Sequence, residues 1–388
     1  MMKPRLSAVV CRVGVLSLLG AGAAGISGCS GNGGSMFARS DAPPPPLKGS
    51  EAIDRGAYEK LGYALAWSGF AAFNQAGGGT AHRAAVLGDL LVVADDTTAT
   101  SALTTTSGSL KWALQTDNRS GRFWGLARVG GSVLAINQTE VVQINAETGQ
   151  LMDRQTPSRL PSTSPIVFGD LVVFGAGDMV LAHSLSVRDM AWAYRFPAPV
   201  LTTPVPTGGT TGCFVSTDGT VAVLDCGTGS LVGSGKMFGN AGATPVTGDG
   251  AVFVPGVDQS LWAFNIADGS RRWQVRTEVP LLSSPAFYKG HVMVHVQRTG
   301  LVSVDSKTGS QQWVAQGVSG RAVAARKGNL IFFDRATGVA TSVDPANGDI
   351  VAQVTLPNVA LMVAGGAEED GDLYTVSPHG EVSKFVPR

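Results

Sequence analysis

Charge is scarce in this chain. Only 15% of its 388 residues are Asp, Glu, Lys or Arg, and 29 basic residues face 29 acidic ones. A protein that holds nucleic acid needs an excess of positive charge to displace counterions from phosphates, so no nucleic-acid partner is expected. Apolar runs long enough to cross a bilayer core of about 30 Å as a helix are missing. Disorder is excluded by the 44% of hydrophobic residues, a normal globular fraction. What is abundant is glycine, 51 residues. With so little charge, that favours many tight turns over long, salt-bridged helices. The length allows two or three domains, or one large all-β or barrel domain.

The N-terminus carries a short basic region, Met1-Met2-Lys3-Pro4-Arg5, and then an apolar stretch from Val13 to Ile26. Fourteen residues are too few for a membrane anchor, so residues 1–28 read as a secretory signal. The segment ends in Ile26-Ser27-Gly28-Cys29, which resembles a bacterial lipobox. That resemblance implies lipid attachment at Cys29 and cleavage before it. By similarity to enterobacterial lipoproteins, Ser30 in place of Asp implies outer-membrane sorting. Cleavage would remove Lys3, Arg5 and Arg12 and no acid, leaving a mildly acidic remainder. Residues 29–58 are rich in Gly and Ser and contain Pro43-Pro44-Pro45-Pro46, so they read as a partly stiff linker. Residues 59–388 are then the folded body, held at the membrane by lipid alone.

The body is organised by a repeat of about forty residues. Two clear copies are Leu301-Val-Ser-Val-Asp305-Ser-Lys-Thr308-Gly309-Ser-Gln-Gln-Trp313 and Leu261-Trp-Ala-Phe-Asn265-Ile-Ala-Asp268-Gly269-Ser-Arg-Arg-Trp273. Each reads as an alternating strand, an Asp or Asn, a turn closed by Gly, and a Trp. The frame recurs at Gly108, Gly149, Arg188, Gly229, Gly269, Gly309 and Gly348, in steps of 41, 39, 41, 40, 40 and 39 residues. Four residues before the Gly slot stand Thr104, Asn145, Ser184, Asp225, Asn265, Asp305 and Asp344, all able to hydrogen-bond backbone at a turn. Glycine supplies a positive φ at low cost, so Arg188 predicts a third turn of different shape. The Trp slot holds Trp112, Trp192, Trp273 and Trp313 and is lost at Asp153, Gly233 and Ala352. A Trp there can cover a neighbouring sheet.

Two more strand-like runs precede each frame, for example Val292 to Val296 and Leu330 to Phe333. Four short strands per forty residues make the blade of a β-propeller. Seven frames are complete. An eighth, from about Met362, has three strands before the chain stops. Its missing strand, with a Trp, is supplied by Tyr63-Ala-Leu-Ala-Trp67-Ser-Gly-Phe70. The expected fold is therefore an all-β, eight-bladed propeller of four-stranded antiparallel blades, its ring closed by the N-terminal strand. Closure removes exposed edges within the wheel.

Asp305 to Trp313 resembles the pyrroloquinoline-quinone-type (PQQ-like, quinoprotein) propeller repeat, Asp-x-x-Thr-Gly-x-x-x-Trp. The resemblance covers nearly the whole body and has two branches, quinone-dependent dehydrogenases and the BamB family of outer-membrane lipoproteins. The lipobox, linker and single propeller resemble the BamB branch, as does the tail Val376-Ser-Pro-His-Gly380-Glu-Val-Ser-Lys-Phe385. That branch implies a non-catalytic, periplasm-facing scaffold of β-barrel assembly, with a BamA-like barrel protein and unfolded barrel proteins as partners. In that family an inter-blade loop grips the barrel protein through Leu and Arg. The loop aligned with it, Phe196 to Pro204, offers Val200 and Leu201 but no Arg, whereas Arg159 and Leu160 stand one connection earlier. These four residues are the candidate partner-binding set.

The alternative is a PQQ- or ligand-binding enzyme or sensor. A quinone enzyme would need clustered oxygen ligands for Ca²⁺, and the resemblance adds an adjacent Cys pair, which the sequence lacks. The acidic clusters Asp95-Asp96 and Glu368-Glu369-Asp370 read as solvated faces. His291 and His295 fall on a strand, roughly 13 Å apart, too far for one metal ion. His183 occupies a core slot as a satisfied imidazole. No phosphate loop or nucleophile elbow is present. No catalytic residue, cofactor or metal is therefore expected. Cys213 and Cys226 flank the hairpin signal Thr217-Asp218-Gly219-Thr220. With Cys213 opposite Leu224 they would be diagonal neighbours on one face, at the edge of disulfide reach.

Overall fold

The computed structural model describes residues 53–116, 122–365 and 369–388. The signal segment, Cys29, the linker up to residue 52, and Glu368 lie outside them. Eight four-stranded antiparallel sheets form eight blades. Blades 1 to 7 cover residues 81–115, 125–155, 166–195, 205–236, 246–276, 286–315 and 321–355. Blade 8 takes three strands from residues 361–387 and its fourth from Tyr63–Phe70, which pairs antiparallel with Glu381–Pro387. The ring is closed as the sequence predicts. First strands of neighbouring blades touch one another, so they ring the centre and the fourth strands form the rim.

There is no single core. Eight apolar clusters each lie between two adjacent blades. Leu134, Ile136 and Val141 of blade 2, for example, pack on Val172, Phe174 and Leu181 of blade 3. Alternating side chains on both faces of every sheet are thus buried against a neighbour, which is why the second and third strands are largely apolar and almost wholly buried.

The Trp frame is the joint between blades. The indole N–H of Trp67, Trp112, Trp192, Trp273 and Trp313 donates to the carbonyls of Thr105, Ala146, Cys226, Ser306 and Pro345 in the next blade, at 2.8–3.1 Å. The same Trp rings lie over Gly108, Gly149, Gly229, Gly309 and Gly348, where a Cβ would sit 2.3–2.9 Å from ring or Cβ atoms. Glycine is required there twice over, for its φ near +70 to +85° and for the room it leaves the indole. Where the Trp is replaced by Gly233, Gly269 sits directly on the Gly233–Ser234 backbone. Just before each Trp slot the fourth strand carries a bulge, as between Ala102 and Leu103 of the paired strand, which bends and twists the outer edge.

Four expectations are corrected. The third frame turn is not different: Arg188 adopts φ +63° and its N–H donates to Ser184 O at 2.9 Å, like the glycines. Cys213 pairs with Val223, not Leu224. This one-residue shift puts the two thiols on opposite faces, Cys213 in the cluster with blade 5 and Cys226 in that with blade 3, and both are free. Asp95 is not solvated: it is buried and accepts N–H bonds from Asn74, Thr97 and Ala99. Finally, a helix at Arg55–Lys60 begins inside the expected linker. Asp54 caps it, and Tyr58 stacks on Phe385 with ring centres 3.7 Å apart. Tyr58 is held in its neutral form, pushed up to about 12 by burial.

Candidate partner-binding face

Strand direction divides the turns between two faces of the wheel. The first-to-second hairpins and the Gly-frame turns lie on one. The second-to-third hairpins and the connections between blades lie on the other. Each connection must cross from rim to centre, and it does so over a buried plug. Pro161, Val200, Ala241 and Leu281 fill that place in the four connections from blade 2 to blade 6. Val200 is fully buried, its N–H donating to Gly177 O at 2.8 Å and its carbonyl accepting from Ser162 Oγ at 2.8 Å.

Of the four candidates, Arg159, Leu160 and Leu201 are on the surface and Val200 is not. Val200 joins blades and is unavailable to a partner as the fold stands. Leu160 is 60% exposed and Leu201 56%. Arg159 makes no ion pair among the described residues. Sequence reasoning missed two further members of this row. Phe238, in the connection from blade 4 to 5, is 65% exposed, and Leu282, from blade 5 to 6, is 67% exposed. Four consecutive connections on one face thus each offer one large apolar side chain. Phe238 is braced edge-on against Trp262 at 5.5 Å, and the Trp262 indole donates to the Asp258 carboxylate at 3.1 Å. The available signal was an aromatic standing between a strand end, Lys236-Met237, and a turn, Gly239-Asn240.

Elsewhere the titratable groups serve structure. His291 and His295 lie on one strand, His291–Val296. His183 is buried, with Nε2 2.7 Å from Gln155 Oε1 and Nδ1 without a hydrogen-bond partner among the described residues. Burial holds it below the ordinary histidine value, against the pull of Asp189 and Asp170. Asp218 is held well below the carboxylate range by Lys236, with Ser216 adding a hydrogen bond. No group of three or more His, Cys, Asp or Glu is placed to hold a metal ion among the described residues. No helix among them is long and apolar enough to cross a membrane.

Residues 217–360 match the family model described as outer membrane protein assembly factor BamB. The chain is an eight-bladed β-propeller, and over that stretch it resembles this family. The crystal structure of BamB from Moraxella catarrhalis superposes with a TM-score of 0.65 at 15% identity, covering 84% of this chain and 99% of that one. A computationally designed protein, Ika8, superposes with a TM-score of 0.66 at 14% identity, covering 83% and 99%. No curated protein sequence matches the chain. That a designed propeller fits as well as a natural one shows how little the wheel itself says about function.

Proposed function

We propose that this propeller is a non-catalytic scaffold of outer-membrane β-barrel assembly, tethered by lipid at Cys29 and facing the periplasm. Its inter-blade connection face docks a BamA-like barrel-assembly protein. The observation that carries the reading is the row Leu160, Leu201, Phe238 and Leu282, exposed in four consecutive connections, with Arg159 beside the first. A few apolar and Arg anchors within a neutral surface are what a protein–protein hot spot requires. The family model over residues 217–360 and the lipobox support the same reading. Unfolded barrel proteins are secondary clients of the same scaffold.

The test is recovery of the tagged chain from detergent-solubilised envelopes after mild crosslinking, with mass spectrometry of what accompanies it. The expected companion is a barrel protein with periplasmic repeat domains, in stoichiometric amount, lost when Leu201 and Phe238 are both changed to Asp. Absence of such a companion under conditions that preserve other envelope complexes overturns the reading.

A further inference from the structure

The connection face also holds a group of cations at the ends of the inner strands, little neutralised among the described residues. Arg83 and Arg321 stand at the starts of the first strands of blades 1 and 7. Blade 8 lies between them, and its own first strand touches both. Arg335, on the second-to-third hairpin of blade 7, reaches past blade 8 and donates to Ala81 O of blade 1 at 3.2 Å. That bond brings its guanidinium beside His82 and Arg83. Arg122 completes the group from the start of blade 2.

Little answers this charge. Arg83 Nε is buried without a hydrogen-bond partner. Among the described residues no ion pair reaches Arg83, Arg321 or Arg335. The nearby carboxylate, Asp96, is occupied by Thr80 N–H and Oγ1 at 2.8 and 3.1 Å and approaches only Arg122, at 3.9 Å. The other carboxylate of the pair, Asp95, is spent on backbone N–H groups. The guanidiniums of Arg83 and Arg321 are both held below their ordinary value, first by desolvation and then by a neighbouring arginine. His82 is lowered by burial and then by Arg83. Arg83 is half-buried while Arg321 and Arg335 reach solvent; like charges clustered there repel one another unless an anion joins them, and planar guanidinium forks match the oxygens of carboxylate and phosphate.

We infer that Arg83, Arg321 and Arg335, with His82 alongside, form a binding site for a small polyvalent oxyanion at the ends of the inner strands. The shared chemistry is several anionic oxygens on a compact centre, phosphoryl or carboxyl. The site is separate from the apolar row of blades 2 to 6 and does not depend on the partner reading.

Isothermal titration of the purified full chain at pH 7 tests it, with inorganic phosphate in one arm and citrate in the other, against chloride of matched ionic strength. Saturable binding of at least one anion in one-to-one ratio is expected. Arg83→Gln and Arg321→Gln should each weaken it at least tenfold, while Arg276→Gln, at the end of a rim strand in blade 5, leaves it unchanged. Phosphate alone would assign phosphoryl ligands and citrate alone carboxylates. Thermal unfolding gives an independent readout. Without anion, Arg321→Gln should melt above the wild type because repulsion is relieved, and anion should raise the wild type more than the variant. Arg335→Gln, at an exposed position, serves if a strand variant fails to fold. The inference is overturned if neither anion gives saturable heat, or if binding survives undiminished in the folded arginine variants.

Discussion

Asp153 and Arg188 form an ion pair at 2.9 Å in the place where five other blade joints lay a Trp over a Gly. Both members of the usual pair are replaced together. The carbonyl that an indole would satisfy, Leu185 O, instead accepts from Gln155 Nε2 at 2.9 Å, and Gln155 is also bonded to Asp153 and His183. The joint between blades 2 and 3 therefore does with polar groups what the others do with an aromatic ring.

Removing a ring should be costly. Trp112 and Trp273 are buried between blades and each satisfies a carbonyl. Truncation of Trp112 or Trp273 to Ala should destabilise the wheel by about 3–5 kcal/mol. Trp112→Phe, which keeps most of the area and leaves Ala146 O without its donor, should cost less, about 1–3 kcal/mol. Thermal melts order the variants; an Ala variant as stable as the Phe variant would refute the joint.

The two joints should respond oppositely at the slot itself. At Gly149 a Cβ would lie 2.5 Å from Trp112 Cβ, so Gly149→Arg should prevent normal packing of blades 1 and 2. Arg188→Gly loses an exposed ion pair of about 0–1 kcal/mol and gains relief from a left-handed backbone of about 1–2 kcal/mol. It should be neutral or slightly stabilising. A large loss of melting temperature in Arg188→Gly would mean the ion pair holds the joint far more strongly than an exposed pair can.

His183 gives that joint a pH dependence. Burial keeps its imidazole neutral in the folded state, below the unfolded value near 6.5. The unfolded chain therefore takes the proton first. Stability from this group is complete above about pH 6.5 and is lost as the pH falls below it. His82, lowered by burial and by Arg83, adds in the same direction. The carboxylates held low, such as Asp153 and Asp170, keep their full stabilisation above about pH 4 and lose it only as the pH falls further, outside this window. Between pH 7.5 and 5.5 the melting temperature should fall, and fall less in His183→Gln. Equal falls in both proteins would remove His183 from the account.

Much of this was legible beforehand because the repeat writes one rule per position. A Gly every forty residues, a polar residue four before it and a Trp four after it together predict the blade, the joint and the closing strand at Trp67. What was not legible depended on register or on space. Cys213 and Cys226 were misplaced because one residue of slip across a hairpin exchanges the faces of a strand. Arg188 was misjudged because a missing Gly suggested another turn, while the hydrogen bond to Ser184 kept the same one. Val200 and Leu201 are adjacent and chemically alike, yet one plugs a blade joint and the other faces solvent. Arg83 and Arg321 are 238 positions apart, and only ring closure through blade 8 brings them together.

The two thiols should be silent in the folded protein. Burial pushes Cys213 up to about 12 and Cys226 up to about 11, so thiolate is scarce at neutral pH. Alkylating reagent under native conditions should leave both unmodified, and unfolding without reductant should expose both. A chain whose two thiols react only after reduction would carry the disulfide that the register forbids.

Position 200 and its neighbours separate folding from docking. Val200→Asp places an unpaired carboxylate among Val173, Phe196 and Phe214, and it should unfold blades 3 and 4. Leu160→Asp, Leu201→Asp, Phe238→Asp and Leu282→Asp change surface side chains. The first, second and fourth should shift stability by no more than about 0.5 kcal/mol. Phe238→Asp loses its contact with Trp262 as well, about 0.5–1.5 kcal/mol. If this face is the docking surface, partner recovery should fall in several of these soluble, folded variants and should recover with Leu160→Met or Leu201→Met, which restore apolar area without restoring shape. Full recovery in all four Asp variants would place the partner elsewhere on the wheel, while loss in only one would reduce the row to a single anchor.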